Sequence, residues 1–317
     1  MPSSEAKAAG AARAATPKPQ KVTVATHGAN YHADDLFAVA ALSLYFKKKN
    51  IAWRLLRTLD QAVLDKADYV MDIGSVHDER KNRFDHHQEG GAGVRDSGIP
   101  YAAFGLVWKK FGKAVAGSEE VAEYVDGRLI APLDASDNGV DTFEPIFEKV
   151  SPVTIEDYIG DECILEKNKP KEEQDFDASF KRLIPFAERV ILLHIEKGVS
   201  RMKADRAIKK AYNKSEDKRI VVSETFYPFD FEEYPEVLFY VYKDLRGNWS
   251  AKTIKKSPGS YESRFSFPKE WWGKRDEELS AASGVSGAIF CHNSGFLAVA
   301  ETKNGALELA RKALMHG

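Results

Sequence analysis

Carboxylate and imidazole side chains gather at four points in the first half of the chain. Oxygen and imidazole ligands without thiolates suit Mn²⁺ or Mg²⁺, with Fe, Co and Zn as competitors. The densest point is an acid followed by two histidines, and the other three supply further ligands in order along the chain. The four clusters are His27 with His32 and Asp34; Asp72; Asp85 with His86 and His87; and Asp134 with Asp137.

Together these clusters predict one site for two divalent metal ions. Two ions about 3.5–4 Å apart lower the pKa of a shared water and stabilise in-line displacement at phosphorus. Such a site needs a bridging carboxylate, one or two further ligands for each ion and room for the water. The chain supplies enough ligands, so the residues favour hydrolysis of a phosphoester.

Each cluster also has a structural explanation when it is taken alone. His32 or Asp34 could cap a helix, and the two histidines at 86 and 87 could form a satisfied surface pair. Asp72 and Asp137 each precede residues that are common in turns. The metal interpretation is favoured because the clusters follow one another in order, at the ends of predicted strands.

Strands and helices alternate around these clusters. A buried strand at 21–26 ends at His27, and a strand at 68–74 ends in an acid, Asp72, and a glycine. This alternation predicts a mostly parallel α/β sheet, and such sheets bind ligands at the carboxyl ends of their strands. Two clusters are therefore expected at one edge of the sheet. The other elements predicted in this half are a strand at 51–58 and helices at 33–49, 101–111 and 119–133.

The composition changes near residue 220, which predicts a second, α+β domain. The polar stretch at 166–177 is the linker candidate, and a helical segment follows at about 180–212, with Pro185 kinking or interrupting it. Later runs are strand-like and aromatic. We expect four regions: a disordered tail at 1–20, a metal-binding domain at 21–165, a linker and helical connection at 166–215, and a substrate-binding domain at 216–317.

Bulk composition limits the class of protein. The chain has 317 residues, a formal net charge of -2 and two distant cysteines, Cys163 and Cys291, which excludes a disulfide scaffold and a thiolate zinc site. No apolar run approaches the roughly 18 residues of a membrane span, so no membrane association is expected. The expected location is the cytoplasm, or an organelle if residues 1–20 act as a transit peptide. The oligomeric state stays open, a homo-oligomer included.

The second domain carries the features expected of a substrate-binding surface. Between residues 241 and 275 there are nine Lys or Arg and three acids, interleaved with aromatic residues. Cations beside rings suit a single-stranded nucleic acid, although a solvated sheet face over an aromatic core would give the same pattern. Glycine lets backbone amides approach an anion. The substrate-binding candidates are Arg275, Ser283, Gly284 and His292.

The four clusters in combination resemble the motifs of the DHH phosphoesterases. The branch they resemble most is the Myg exonuclease family, the relatives of the melanocyte proliferating gene product. Segments at 267–280 and 290–296 are similar to signature segments of the second half of that family. The first-half motifs that carry the resemblance are Thr26-His27-Gly28 through His32-Ala33-Asp34-Asp35, Asp72-Ile73-Gly74, Phe84-Asp85-His86-His87-Gln88 and Asp134-Ala135-Ser136-Asp137-Asn138-Gly139.

The resemblance implies a two-domain hydrolase that uses two metal ions, Mn²⁺ or Mg²⁺, as a 3′–5′ exonuclease in RNA processing. It makes Asp72 the bridging ligand, with His27 and His32 on one ion. The other ion would take Asp34, His86 and Asp137 beside Asp72. His87 would orient the substrate phosphate or support the second ion. Asp134 stays an alternative to Asp137, which we favour because it directly precedes Asn138-Gly139. The catalytic candidates are Asp72, Asp85, His86 and His87.

Two departures from the family pattern concern the site. Ala33 and Asp35 stand where the family usually has Cys and Glu, and 102–105 reads Ala-Ala-Phe-Gly instead of Ser-Ser-Ala-Gly. The ligands remain, so we expect metal binding. The alternatives to an exonuclease are a small-molecule phosphohydrolase acting on a nucleoside bisphosphate or pyrophosphate, and a non-catalytic nucleotide- or metal-binding protein.

Overall fold

The computed structural model describes residues 21–147 and 149–316, so the tail predicted at 1–20 lies outside the described residues. The chain divides into two compact units, one ending at Ile195 and the other beginning at Glu196. Each unit holds helices and a five-stranded mixed sheet, so the predicted α/β class is confirmed. None of the helices in the described part has both the length and the apolar character that crossing a bilayer requires.

The sheet of the first unit has the strand order β2-β1-β3-β5-β4. β1 pairs in parallel with β2 and β3, β3 pairs in parallel with β5, and β4 is antiparallel to β5. Its elements are β1 (Val22–Thr26), α1 (Ala33–Lys49), β2 (Trp53–Arg57), α2 (Gln61–Leu64), β3 (Tyr69–Met71), β4 (His77–Asp78), β5 (Arg83–Phe84), α3 (Ala103–Ala116), α4 (Glu119–Val125), α5 (Ala131–Asp137) and α6 (Ile155–Lys167).

The helix α1 is buried along almost its whole length and forms the centre of this unit. Its residues Leu36 to Leu42 are fully or almost fully inaccessible to solvent, and the rings of Phe37 and Phe104 bring it against α3, with centroids 5.5 Å apart. Three lysines in its last turn face the negative end of the helix dipole. The helix stops at Asn50, whose left-handed conformation lets its backbone N–H donate to the last carbonyls.

The helix α7 (Phe176–Lys214) begins in the first unit and crosses the boundary at Ile195. It runs without interruption through Pro185, so the proline does not end the helix. The predicted connection at 166–215 thus consists of the end of α6, a short 3₁₀ turn at Lys171–Glu173 and the whole of α7.

The second unit has a sheet of order β6-β7-β8-β10-β9, in which β6 pairs in parallel with β7 and the other pairs are antiparallel. One sheet face packs on two helices around a buried Trp271. The elements are β6 (Ile220–Ser223), β7 (Phe239–Lys243), β8 (Trp249–Thr253), α8 (Asp276–Ser283), β9 (Ala288–Cys291), β10 (Leu297–Ala300) and α9 (Lys303–His316).

The aromatic residues of 241–275 mostly build this core. Trp249, Phe267 and Trp271 are at most 8% exposed, and Phe265 and Trp272 pack against the same cluster. For these side chains the structure favours the aromatic-core interpretation. Tyr261, which is 98% exposed, is the ring of that stretch best placed to meet a ligand.

Candidate metal centre

Three neighbouring strands deliver the candidate ligands to one edge of the first sheet. His27 directly follows β1, Asp72 directly follows β3, and Asp85 directly follows β5. Because these strands are parallel neighbours, their carboxyl ends lie together. The strand β5 has only two residues and is absent from the sequence prediction, yet it is the element that brings the His86 cluster to the site.

Asp72 lies between two histidines. Its Oδ2 is 3.3 Å from His27 Nε2 and its Oδ1 is 3.3 Å from His86 Nε2. Its backbone has a φ of 55°, a left-handed conformation that non-glycine residues adopt uncommonly, and its N–H donates to the carbonyl of Phe84 at 3.0 Å. The chain turns sharply here so that each oxygen of one carboxylate faces a different histidine.

The candidate ligand atoms form three groups, within each of which all the atoms lie within 4.8 Å of one another. Asp72 belongs to two groups and His86 belongs to two. The assignment of individual ligands to individual ions remains a prediction, but the predicted residues do lie together. The groups are His27, His32 and Asp72; Asp34, His86 and Asp137; and Asp72, Asp85, His86 and His87.

The site contains buried polar atoms that have no hydrogen-bond partner among the described residues. Oδ1 of Asp72, Nε2 of His86 and Oδ2 of Asp35 are buried and, among the residues described, accept or donate no hydrogen bond of good geometry. Leaving such atoms unsatisfied costs about 1–3 kcal/mol each. A divalent cation would satisfy the Asp72 and His86 atoms, which belong to the ligand groups, and the oxygen and imidazole donors suit Mn²⁺ or Mg²⁺. The residues present therefore fit a metal centre.

The charges of the carboxylates control the protonation of both histidines. Burial by itself lowers the pKa of His86, but the contacts with Asp137 and Asp72 outweigh burial and raise the pKa to about 11. Burial likewise lowers the pKa of His27, and its contact with Asp72 and the charges of Asp35 and Asp72 raise it to about 9. Burial raises the pKa of Asp72, while the two histidines lower it to about 2. The cluster is thus built to hold positive charge.

Asp34 links the site to the start of α3. Its two carboxylate oxygens accept the backbone N–H groups of Ala103 at 2.9 Å and Phe104 at 2.7 Å. The N-cap residue Ala102 has no side-chain oxygen to cap these amides, so Asp34 does so from α1. Burial and the charges of Asp72 and Asp137 raise the pKa of Asp34 well above its usual value. The segment 102–105, whose side chains depart from the family pattern, therefore fixes the candidate ligand Asp34 through its backbone amides.

The geometry separates Asp137 from Asp134. Asp137 Oδ2 lies 3.1 Å from His86 Nε2, whereas Asp134 is outside all three groups found among the described residues. Instead, Asp134 Oδ2 lies 2.7 Å from Arg95 Nη2, and Oδ1 accepts the N–H of Gly105 at 3.0 Å. Asp134 therefore anchors Arg95 and α3, and the contacts favour Asp137 as the ligand.

Asp85 orients the second histidine of its motif. It accepts the backbone N–H groups of Ser75 at 2.5 Å and His86 at 2.8 Å. Its Oδ1 is also 2.7 Å from His87 Nδ1. The His87 side chain is 59% exposed. With Nδ1 held by Asp85, its Nε2 is free to meet a substrate.

Two residues of the site are absent from the sequence assignment. Asp35 is fully buried, with Oδ2 3.3 Å from His27 Nε2 and Oδ1 accepting the N–H of His32 at 2.9 Å. Burial raises its pKa to about 7, although the charge of His27 opposes the shift. The position of Asp35 directly after Asp34 in the first motif is the sequence feature that could have identified it as a site residue.

Arg57 is the other omitted residue, and nothing in the local sequence indicates it. Its side chain is inaccessible to solvent and lies over the ring of Phe180, 4.5 Å from the centroid. It donates to the carbonyls of Ala29 at 2.9 Å and Asn30 at 3.1 Å, and to Asp177 at 3.1 Å. Arg57 thus holds the loop that separates His27 from His32.

The four substrate-binding candidates lie in the second unit, and their roles stay predictions. The Arg275 guanidinium lies 4.5 Å from the Phe290 ring centroid, and His292 Nδ1 is 2.8 Å from Ser294 Oγ. Ser283 is buried and its hydroxyl donates to a carbonyl of its own helix. Gly284 ends α8 with a φ of 65°, so it supplies the turn.

Comparison with known proteins supports the assignment of the chain. The family model MYG1_exonuc, described as Uncharacterised protein family (UPF0160), matches residues 23–314. The chain belongs to this family. The predicted resemblance to the Myg exonucleases is therefore confirmed, while membership of the wider DHH group stays a prediction.

Three similar proteins illustrate the match. The chain is 28% identical to the MYG1 protein of Dictyostelium discoideum, over 92% of this chain and 96% of that one. It is 29% identical to the MYG1 exonuclease of Rattus norvegicus over 92% and 84%. A crystal structure of an exopolyphosphatase-related protein from Bacteroides fragilis aligns over 93% and 92% at 12% identity, with a TM-score of 0.24, too low to support an argument.

Gly105→Ala is expected to destabilise the first unit. A Cβ at this position would lie 1.9 Å from Asp134 Oδ2 and 2.7 Å from Arg95 Nη2, so α3 would have to move. We expect a loss of about 1–3 kcal/mol in the free energy of unfolding, measured by urea denaturation. Gly160→Ala in α6 meets nothing within 4 Å and is the matched control, which should not destabilise. Equal stability of the two variants would contradict the packing described.

Asp137→Asn and Asp134→Asn are expected to differ in metal affinity. Loss of the Asp137 carboxylate should weaken Mn²⁺ binding by at least the roughly 10- to 100-fold seen when outer groups of metal sites are lost. Asp134→Asn should keep that affinity and lower the urea midpoint, because Arg95 loses a buried partner. Calorimetric titration with Mn²⁺ measures the first effect. A larger affinity loss in Asp134→Asn would reverse the assignment.

Proposed function

We propose that the protein is a metal-dependent phosphodiesterase that hydrolyses single-stranded RNA or short oligonucleotides as a 3′–5′ exonuclease. The observation that carries the proposal is the Asp72 carboxylate, whose two oxygens face His27 and His86, one residue from each proposed ligand set. A bridging carboxylate of this kind is what a two-ion site needs. Similar proteins of this family from rat and human bear the name MYG1 exonuclease.

In this proposal two ions, Mn²⁺ or Mg²⁺, are shared by one carboxylate. His27, His32 and Asp72 would hold one ion. Asp34, His86 and Asp137, again with Asp72, would hold the other. Bound ions of this type supply an activated water at neutral pH and neutralise charge on the phosphate. The domain at 21–165 would be the DHH-like, mostly parallel catalytic domain, and the one at 216–317 would bind substrate.

The protein's own groups then position the ligands and the phosphate. The hydrogen bonds from Ala103 and Phe104 hold Asp34 in one rotamer, so α3 fixes its distance to Asp137. Asp85 accepts a hydrogen bond from Nδ1–H of His87, so the exposed Nε2 donates to a non-bridging phosphate oxygen when the ring is charged. Both are orientation effects that raise the rate by placing the reacting groups.

Asp72→Asn and His86→Ala are each expected to abolish hydrolysis while leaving the fold intact. Asparagine tolerates the left-handed backbone at position 72, and removing one charge relieves the crowding of carboxylates. The assay is Mn²⁺-dependent cleavage of a labelled single-stranded RNA, with circular dichroism and urea midpoints as folding checks.

The exposed Asp65→Asn and His316→Ala are the matched controls and should retain wild-type rates. Near wild-type turnover in either site variant would contradict the assignment. Wild-type protein that binds Mn²⁺ and cleaves pyrophosphate or a nucleoside bisphosphate but no RNA would indicate the small-molecule phosphohydrolase instead. Protein that cleaves no phosphoester would indicate a binding protein.

A further inference from the structure

Two cavities of the first unit adjoin each other, and the inner one is lined by candidate ligands. The inner cavity, about 320 Å³, is lined by His32, Asp34 and Asp137 together with Leu133, Ser136 and Glu156. The outer cavity, about 350 Å³, is lined by the same last three residues and by others farther along the chain. The two cavities therefore adjoin at these three residues.

The outer cavity offers an aromatic ring and polar groups of the kind that bind a nucleobase. Phe143 lines it and is 47% exposed, and Leu129 adds an apolar surface. Base–aromatic stacking needs only an accessible ring face. His194 also lines it, and because its Nδ1 is 2.9 Å from the Val190 carbonyl, the other ring nitrogen is free. The volume is near the lower end of the roughly 300–1,000 Å³ of small-molecule sites.

Glu156 lies where the two cavities meet. It is in the first turn of α6, and within the described chain its partly exposed carboxylate has no hydrogen-bond or ion-pair partner. A free carboxylate accepts hydrogen bonds from ribose hydroxyls, as in dinucleotide-binding sites, and repels a phosphate. Its place between the ligand end and the aromatic end corresponds to the place of the sugar between phosphate and base in a nucleotide.

We infer that the two cavities together act as one groove, which binds the ribonucleotide unit attached to the scissile phosphate. Glu156 accepts a hydrogen bond from a ribose hydroxyl, and Phe143 stacks on the base. The position of the phosphate beside Asp34 and Asp137 rests on the proposed function. A 2′-hydroxyl is the group by which a protein distinguishes RNA from DNA at one position, so Glu156 is a specificity-determining residue and Phe143 a substrate-binding residue.

The test compares binding with hydrolysis in the full chain with Mn²⁺. Binding of AMP and dAMP is measured by calorimetry, and hydrolysis is measured on ApA and on bis(p-nitrophenyl) phosphate, a phosphodiester with no ribose or base. Phe143→Ala and Glu156→Ala are the test variants. Phe186→Ala, 38% exposed, and Glu119→Ala, an acid in the first turn of α4, are controls outside both cavities.

Phe143→Ala is expected to weaken the binding of AMP and of dAMP by the same factor, roughly 5- to 100-fold. Glu156→Ala should remove a preference of the wild type for AMP over dAMP. Both variants should lose activity on ApA and keep it on bis(p-nitrophenyl) phosphate. Test variants that bind both nucleotides like the controls would overturn the inference, as would equal losses on both phosphodiesters. Absence of hydrolysis in the wild type, with the expected binding pattern, would refute the proposed function and leave the nucleotide groove standing.

Discussion

Buried negative charge at one sheet edge is the constraint on which the first unit depends. Asp34, Asp35, Asp72 and Asp134 are each at most 5% exposed, and removing a carboxylate from water costs several kcal/mol unless it is compensated. Repulsion between neighbouring acids adds to this cost. Burial and this repulsion together raise the pKa of Asp34 and of Asp35. A fold that tolerates this arrangement must place positive charge or hydrogen-bond donors beside each acid.

The surrounding elements supply a separate compensating group for each acid. Amides of α3 bind Asp34, and Arg95 lies against Asp134. His27 contacts both Asp35 and Asp72. In the described part of the cluster, Asp72 Oδ1 and His86 Nε2 are buried without a hydrogen bond of good geometry, as are one oxygen each of Asp35 and Asp134, so two of the candidate ligands carry uncompensated atoms. The same charge balance that costs stability in the free protein favours binding of a cation, which stabilises the folded state by mass action.

Local patterns predicted the long elements of the fold and much of the site. The helix at 33–49 and the strand at 21–26 agree with α1 and β1 almost to the residue, because each has a continuous apolar run and clear ends. The strands β4 and β5 have two residues each and carry no periodicity. They are held by pairing: β5 pairs with β3 on one side and with β4 on the other.

What the sequence could not show depends on contacts between distant segments. Asp134 and Asp137 are alike as motif residues, and contacts with distant residues distinguish them. Arg95, from a loop 39 positions before Asp134, lies against Asp134, whereas His86 contacts Asp137. Arg57 supports the His27–His32 loop through contacts with Phe180 and Asp177. The basic and aromatic stretch at 241–275 is compatible with a nucleic-acid-binding surface or with an aromatic core. Burial of Trp249 and Trp271 favours the core for these side chains.

The most direct test of the central claim is an anomalous difference map from crystals grown with Mn²⁺ and measured at the manganese absorption edge. The account predicts two peaks about 3.5–4 Å apart, on either side of the Asp72 carboxylate. One peak should be adjacent to His27 and His32, and the other adjacent to Asp34, His86 and Asp137. A single peak that Asp72 does not contact, or peaks centred on Asp134, would contradict the account.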